Sequence, residues 1–180
     1  PDGQEWEQLS DGAVSAIGLV GGDPWVGFAD GRVVDWEDSK QLVQIPGGHA
    51  THIAGLSEET ALLNVSSQGG QTGPLQLLEN KSLTAITDLK VDEDIGLIGP
   101  TGTWALGSQK AVVGTFRRGP LVWDGQRLQA DRQDFRAMVS GGAAMDDHER
   151  LLIAAMGTGA SLWEDGAFGP HRAGQGPVTD

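Results

Sequence analysis

The sequence contains no cysteine in its 180 residues, which excludes a disulfide framework and a thiolate zinc site and leaves the redox compartment unreadable from thiols. It has no apolar run of the ~18 residues that cross a bilayer as a helix, so no membrane insertion is expected. Lysine is scarce, and 12 basic residues face 25 acidic ones for a net charge of −13. That balance repels a phosphate backbone and an anionic membrane surface alike, so no nucleic-acid partner is expected. There is no Gly-x-Ser-x-Gly elbow, no His-Glu-x-x-His, no phosphate-binding Gly-Lys-Ser/Thr and no Gly-x-Gly-x-x-Gly after a strand. These absences argue against an enzyme, and no cofactor is expected. Helical periodicity is missing too, and the 28 glycines fall so often that each would weaken a helix by ~1 kcal/mol. The chain opens at Pro1 with neither Met nor a signal-like stretch, which suggests a processed or excised piece.

What is present is a repeat. Apolar residues make up 38% and charged residues 21% of the chain, enough to bury a core. Three of the six tryptophans stand in one local frame, Val34-Asp35-Trp36-Glu37-Asp38, Val122-Trp123-Asp124-Gly125 and Leu162-Trp163-Glu164-Asp165-Gly166. Nine residues before each lies a small residue at the end of an apolar stretch, namely Gly27, Gly114 and Ala154. A degenerate fourth copy runs through Leu62-Leu63-Asn64-Val65 and, past a polar insertion at Ser66 to Gly73, reaches Leu78 in the Trp place. The anchors Trp36, Leu78, Trp123 and Trp163 are thus 42, 45 and 40 residues apart. Each unit divides into four short apolar segments. In the third copy these are Thr103–Gly107, Ala111–Phe116, Pro120–Trp123 and Gln126–Leu128. Asp38-Ser39, Asn80-Lys81, Asp124-Gly125 and Asp165-Gly166 accept positive φ and predict two-residue hairpin turns between the last two strands.

Four-stranded units of this length predict an all-β fold, a β-propeller of about four blades, because a lone twisted sheet cannot cover both its faces. The blade pattern resembles the regulator-type and WD40-like propellers, on the strength of Trp25-Val26-Gly27-Phe28, Val113-Gly114-Thr115 and Pro120-Leu121-Val122-Trp123-Asp124. The resemblance covers residues 6 to 170. It implies the fold and is nearly silent on function, since propellers host many activities. The Ser-x-Asp-x-Gly-x-Thr-Trp box of sialidase-like blades is absent, with only Gly102-Thr103-Trp104 matching its tail. The expected blades lie near 10–47, 48–88, 101–131 and 140–170 in a single domain over 1–180, with 171–180 as a flexible tail. The opening segment around Gln4 to Gln8 matches an outermost strand. The chain is therefore either an excised arc of a larger ring, completed by other chains or by sequence outside this piece, or a closed four-bladed ring in which that segment pairs with Leu162-Trp163.

The tryptophans at 36, 123 and 163 recur at one blade place and read as packing. Trp104 opens an inner strand near the channel and is the aromatic candidate for binding. Asp146, Asp147, His148 and Glu149 form the densest group of potential ligands, in the turn where the other units carry Gly21-Gly22-Asp23, Ser57-Glu58-Glu59 and Gly107-Ser108-Gln109. This series reads as solvated turns rather than a metal site. Asp92 and Asp94 sit in an acidic insertion, Asp88 to Asp94, whose faint calcium-loop pattern lacks the closing Glu. His49 and His52, three apart, approach the channel without a partner that sequence can place. The function expected is a non-catalytic protein-binding or scaffold module that meets a protein partner through acidic loops and Trp104. The alternative is an enzyme or carbohydrate-binding site in the channel.

Overall fold

The computed structural model describes residues 12–86, 100–107, 109–116, 119–130, 138–144, 150–156, 159–164 and 167–169. Among these there is no helix, and sixteen strands make four antiparallel sheets of four, each running in chain order across the sheet. The first sheet holds β1 (Val14–Val20), β2 (Asp23–Phe28), β3 (Arg32–Asp35) and β4 (Lys40–Gln44). The second holds β5 (Gly48–Gly55), β6 (Thr60–Ser67), β7 (Thr72–Glu79) and β8 (Ser82–Ala85). The third holds β9 (Pro100–Ala105), β10 (Ala111–Thr115), β11 (Pro120–Trp123) and β12 (Leu128–Ala130), and the fourth β13 (Val139–Ala144), β14 (Leu151–Ala155), β15 (Gly159–Glu164) and β16 (Ala167–Phe168).

The hairpins between third and fourth strands form, but two of their turns differ from expectation. Asn80-Lys81 is a two-residue turn with both φ positive, 49° and 61°, as a right-twisted hairpin requires. Residues 36–39 and 124–127 are four-residue loops instead. In the second of these, Asp124 Oδ1 accepts bonds from the backbone N–H of Gln126 at 3.0 Å and Arg127 at 2.9 Å. A carboxylate that bonds its own backbone two and three residues on makes a wider turn self-sufficient, so β12 starts at Leu128 rather than Gln126. The same bonds hold the Asp124 carboxyl below the usual carboxylate range.

Each sheet packs on the next. The face between the first and second sheets buries Trp25, Val33, Ala61, Leu63, Val65 and Leu78. Between the second and third lie Leu62, Leu75, Ala111, Val113, Leu121 and Trp123, and between the third and fourth Leu106, Val112, Leu151, Ile153 and Trp163. Because strand side chains alternate, Ala111 and Val113 face backward along the chain and Val112 forward, which explains why β10 is buried throughout. In β14 the alternation shows as buried Leu151, Ile153 and Ala155 against exposed Leu152 and Ala154, since among the described residues only one side of this sheet is covered by another. No packing comparable to these three junctions joins the fourth sheet to the first among the described residues. Over the described residues, the four sheets are not closed on themselves and form an arc.

Every innermost strand also carries a bulge at the same height. The register skips one residue between Val14 and Ala16, Ala50 and His52, Gly102 and Pro100, and Val139 and Gly141. The skipped residues are Ser15, Thr51, Thr101 and Ser140, a hydroxyl each time. Bulges bend a strand and re-aim its side chains, and a hydroxyl can bond a carbonyl that the interrupted ladder leaves free. Thr51 does so to Asn64 O at 3.4 Å and Ser140 to Ala154 O at 3.3 Å.

Candidate functional site

Antiparallel pairing puts the turns after the first and third strands at one edge of each sheet. Where the first two sheets meet, four such turns converge. Gly21 adopts φ 64°, and a Cβ there would stand 2.6 Å from the Glu58 Cα, so the turn can lie against its neighbour only as glycine. The result is a cleft of about 600 Å³. Its rim carries Asp23, Asp35, Asp38, Glu58 and Glu59, its cations are Lys40 and Lys81, and Trp25, Leu42 and Leu78 supply apolar lining. Neither lysine forms an ion pair with these carboxylates among the described residues. The carboxylates are spread around the rim, and no three described acidic or imidazole groups gather as a metal cage would require. Asp35 Oδ1 is in part occupied, accepting the N–H of Glu37 at 3.2 Å and Asp38 at 3.4 Å. The arrangement is a cleft lined by more carboxylates than cations, which concentrates field toward a cationic ligand.

A second feature lies at the inner rim, between the second and third sheets. The Trp104 and His52 rings meet edge to face with centroids 6.4 Å apart. The Thr103 hydroxyl donates to Asn64 Oδ1 across the junction, and the N–H of Gln109 donates to Leu56 O at 2.8 Å. Asn64 Nδ2, His52 Nδ1 and Thr101 Oγ1 are buried without a hydrogen-bond partner among the described residues. Burial pushes the His52 imidazole below its ordinary pKa, because a charged ring loses solvation there.

Of the residues singled out in the sequence, Trp104 lies in this inner group, half-buried, and not at the acidic cleft. Asp92, Asp94, Asp146, Asp147, His148 and Glu149 lie outside the described residues, as do the Gln4 to Gln8 pairing and the 171–180 tail. Trp36 departs from the core reading. It is half-buried, whereas Trp123 and Trp163 are 4% and 5% exposed, because no described sheet precedes the first. The acidic cleft was missed as a site, although Asp23, Asp38, Glu58 and Glu59 were visible as turn residues. The missing signal is spatial: the turns belong to adjacent sheets and only packing brings them together.

No family model and no curated protein matches the chain. Solved structures do. The WD40 β-propeller domain of Doa1 matches with a TM-score of 0.55 and 13% identity over 92% of this chain and 55% of its own. The fold is that of propeller blades. YCF48 bound to D1 peptide matches at TM-score 0.58 and 14% identity, over 97% of this chain and 59% of that one. The computationally designed Ika4 protein matches at 0.57 and 16%, over 89% of this chain and 99% of its own. This chain thus spans a little over half of the Doa1 and YCF48 chains and nearly all of Ika4. Identities this low carry the fold and nothing further.

Proposed function

We propose that the chain is a non-catalytic protein-binding module, one propeller domain over residues 1–180, and that the cleft between its first two sheets receives a basic segment of a protein partner. The observation that carries this reading is the cleft itself, lined by five carboxylates against two lysines, with Trp25, Leu42 and Leu78 as its apolar lining. A cationic side chain with an apolar stem, such as Arg or Lys, satisfies both parts. The net charge of −13 would hasten encounter with such a partner. That YCF48, of the same fold, has been solved with a peptide bound supports a protein ligand in general.

The test is binding of a fluorescent Arg/Lys-rich peptide by anisotropy. Affinity is expected to fall as salt rises from ~0.05 to ~0.5 M, where screening shortens the Debye length several-fold. Joint replacement Asp38→Asn, Glu58→Gln and Glu59→Gln should weaken it about tenfold, since three rim pairs of ~0.5 kcal/mol add to roughly one decade. Affinity that ignores both salt and these substitutions would sink the reading. The inner rim favours a second one, a carbohydrate in the channel, because the half-buried Trp104 ring lies beside His52, whose buried Nδ1 has no hydrogen-bond partner among the described residues. A saccharide that quenches Trp fluorescence in the parent chain but not in Trp104→Phe would favour it.

A further inference from the structure

Independently of the acidic cleft, we infer that two copies of this chain join head to tail into a closed ring of eight sheets, the front of the first sheet of each copy seated on the back of the fourth sheet of the other. Five of the six exposed large apolar side chains among the described residues lie on or beside these two faces: Val14, Ile17 and Leu19 on β1, and Leu152 and Met156 on and after β14. Ile17 and Leu19 are each 68% exposed. Monomers seldom leave such groups open on contiguous sheet faces.

The copy, rather than any apolar surface, is indicated because the two open faces are of opposite type, and that pairing is already made three times within the chain. Register gives the equivalences. Ile17 opposes Val26 as Ile53 opposes Leu63, and Ala143 opposes Leu152 as Gly18 opposes Trp25. At two of the internal junctions a bulky inner residue meets a glycine. A Cβ on Gly18 would stand 2.8 Å from the Ile53 Cβ, and one on Gly142 would stand 2.8 Å from the Trp104 ring. The open faces repeat this size rule, with small Ala143 on the back of the fourth sheet and bulky Ile17 on the front of the first. Trp36 completes the match. Its equivalents Trp123 and Trp163 are buried in the clusters containing Leu62 and Val112. The corresponding back-face positions of the fourth sheet are Leu152, exposed, and Leu162 beside it, half-buried. Head-to-tail contacts close when the rotation allows and polymerise when it does not. Two copies give eight sheets, within the range of four to eight blades in which propellers typically close, and three would give twelve.

The test is sedimentation equilibrium of the whole chain from ~1 to ~200 μM, with the single substitutions Ile17→Asp and Leu152→Asp. Both positions are exposed in one chain, so the variants should fold as the parent does, which circular dichroism checks. The parent is expected to approach the mass of two chains, more tightly at high salt because two chains of net charge −13 repel. This is the opposite of the salt effect expected for a basic ligand, so the two readings fail separately. Either substitution places a carboxylate in both apolar junctions and should raise the dissociation constant roughly a hundredfold. An equal mixture of the two variants should recover part of the dimer, because the front of the Leu152→Asp chain and the back of the Ile17→Asp chain are both intact. A single-chain mass throughout, a dimer unmoved by either substitution, no recovery on mixing, or open-ended polymers would each overturn the inference.

Discussion

Trp123 and Trp36 occupy the same place in two sheets and experience different surroundings. Trp123 lies 4% exposed among Leu62, Leu75 and Leu121 of the junction between the second and third sheets. Trp36, on the first sheet, is half-buried. Their sequence frames are alike and both stand at the C-terminal end of a third strand, Trp123 as its last residue and Trp36 just past it, so the difference comes from the neighbour. In a stacked fold the worth of a repeated residue is set by whether a sheet lies before it.

The largest way to break this comparison is to truncate both. Trp123→Ala and Trp163→Ala should each cost ~3 to 5 kcal/mol in urea denaturation. At concentrations where one chain stands alone, Trp36→Ala should cost only about 1 kcal/mol, in line with partial burial. An equal loss at Trp36 would mean that the front of the first sheet is covered. Next in size is the close approach at the inner strands. Gly18→Ala would put a Cβ 2.3 Å from the Ile53 carbonyl oxygen, which backbone cannot evade cheaply, so a loss of ~1 to 3 kcal/mol is expected. Gly141→Ala, where nothing lies within 4 Å, should stay near zero. If both melt alike, the junction between the first two sheets is looser than described.

Of similar size is the polar contact between the second and third sheets. Thr103→Val removes the hydroxyl that bonds Asn64 Oδ1 and leaves a buried acceptor unpaired, at ~1 to 3 kcal/mol. Ser140→Ala, at an exposed hydroxyl with a 3.3 Å bond, should cost under about 0.5 kcal/mol. The smallest effect is a pH slope. The folded His52 imidazole titrates below its ordinary value, so above ~6.5 both states are neutral and this group contributes no slope. As pH falls below that value the unfolded chain takes the proton first, and stability drops until the folded pKa is passed. The difference in unfolding midpoint between pH 7.5 and 5.5 should therefore shrink in His52→Gln. An unchanged difference would show that the ring is not desolvated.

The repeat told a reader of the sequence a good deal. The fixed offset from Gly27, Gly114 and Ala154 to the anchors places second and third strands opposite one another, because antiparallel pairing is local and a short hairpin leaves the register little choice. Even the degenerate copy was legible, with Leu78 buried at the anchor place. Turn widths were not, because Asp124 can close either a two- or a four-residue loop and its hydrogen bonds decide. The hydroxyl bulges at Ser15, Thr51, Thr101 and Ser140 had a signal, an apolar residue before each, but the sequence does not mark which ladder residue is left unpaired.

What the sequence alone determined is the all-β class, the four-stranded unit and the acidity, properties carried by local alternation, turn chemistry and composition. The tertiary structure decided which faces are covered, that turns from the first two sheets meet in one acidic cleft, and that Trp104 stands beside His52 instead of beside the acidic groups. These depend on contacts between residues far apart in the chain, such as Gly21 with Glu58, Asn64 with Thr103 and His52 with Trp104. Periodicity fixes which side of a strand a residue takes. Only stacking fixes what lies on that side.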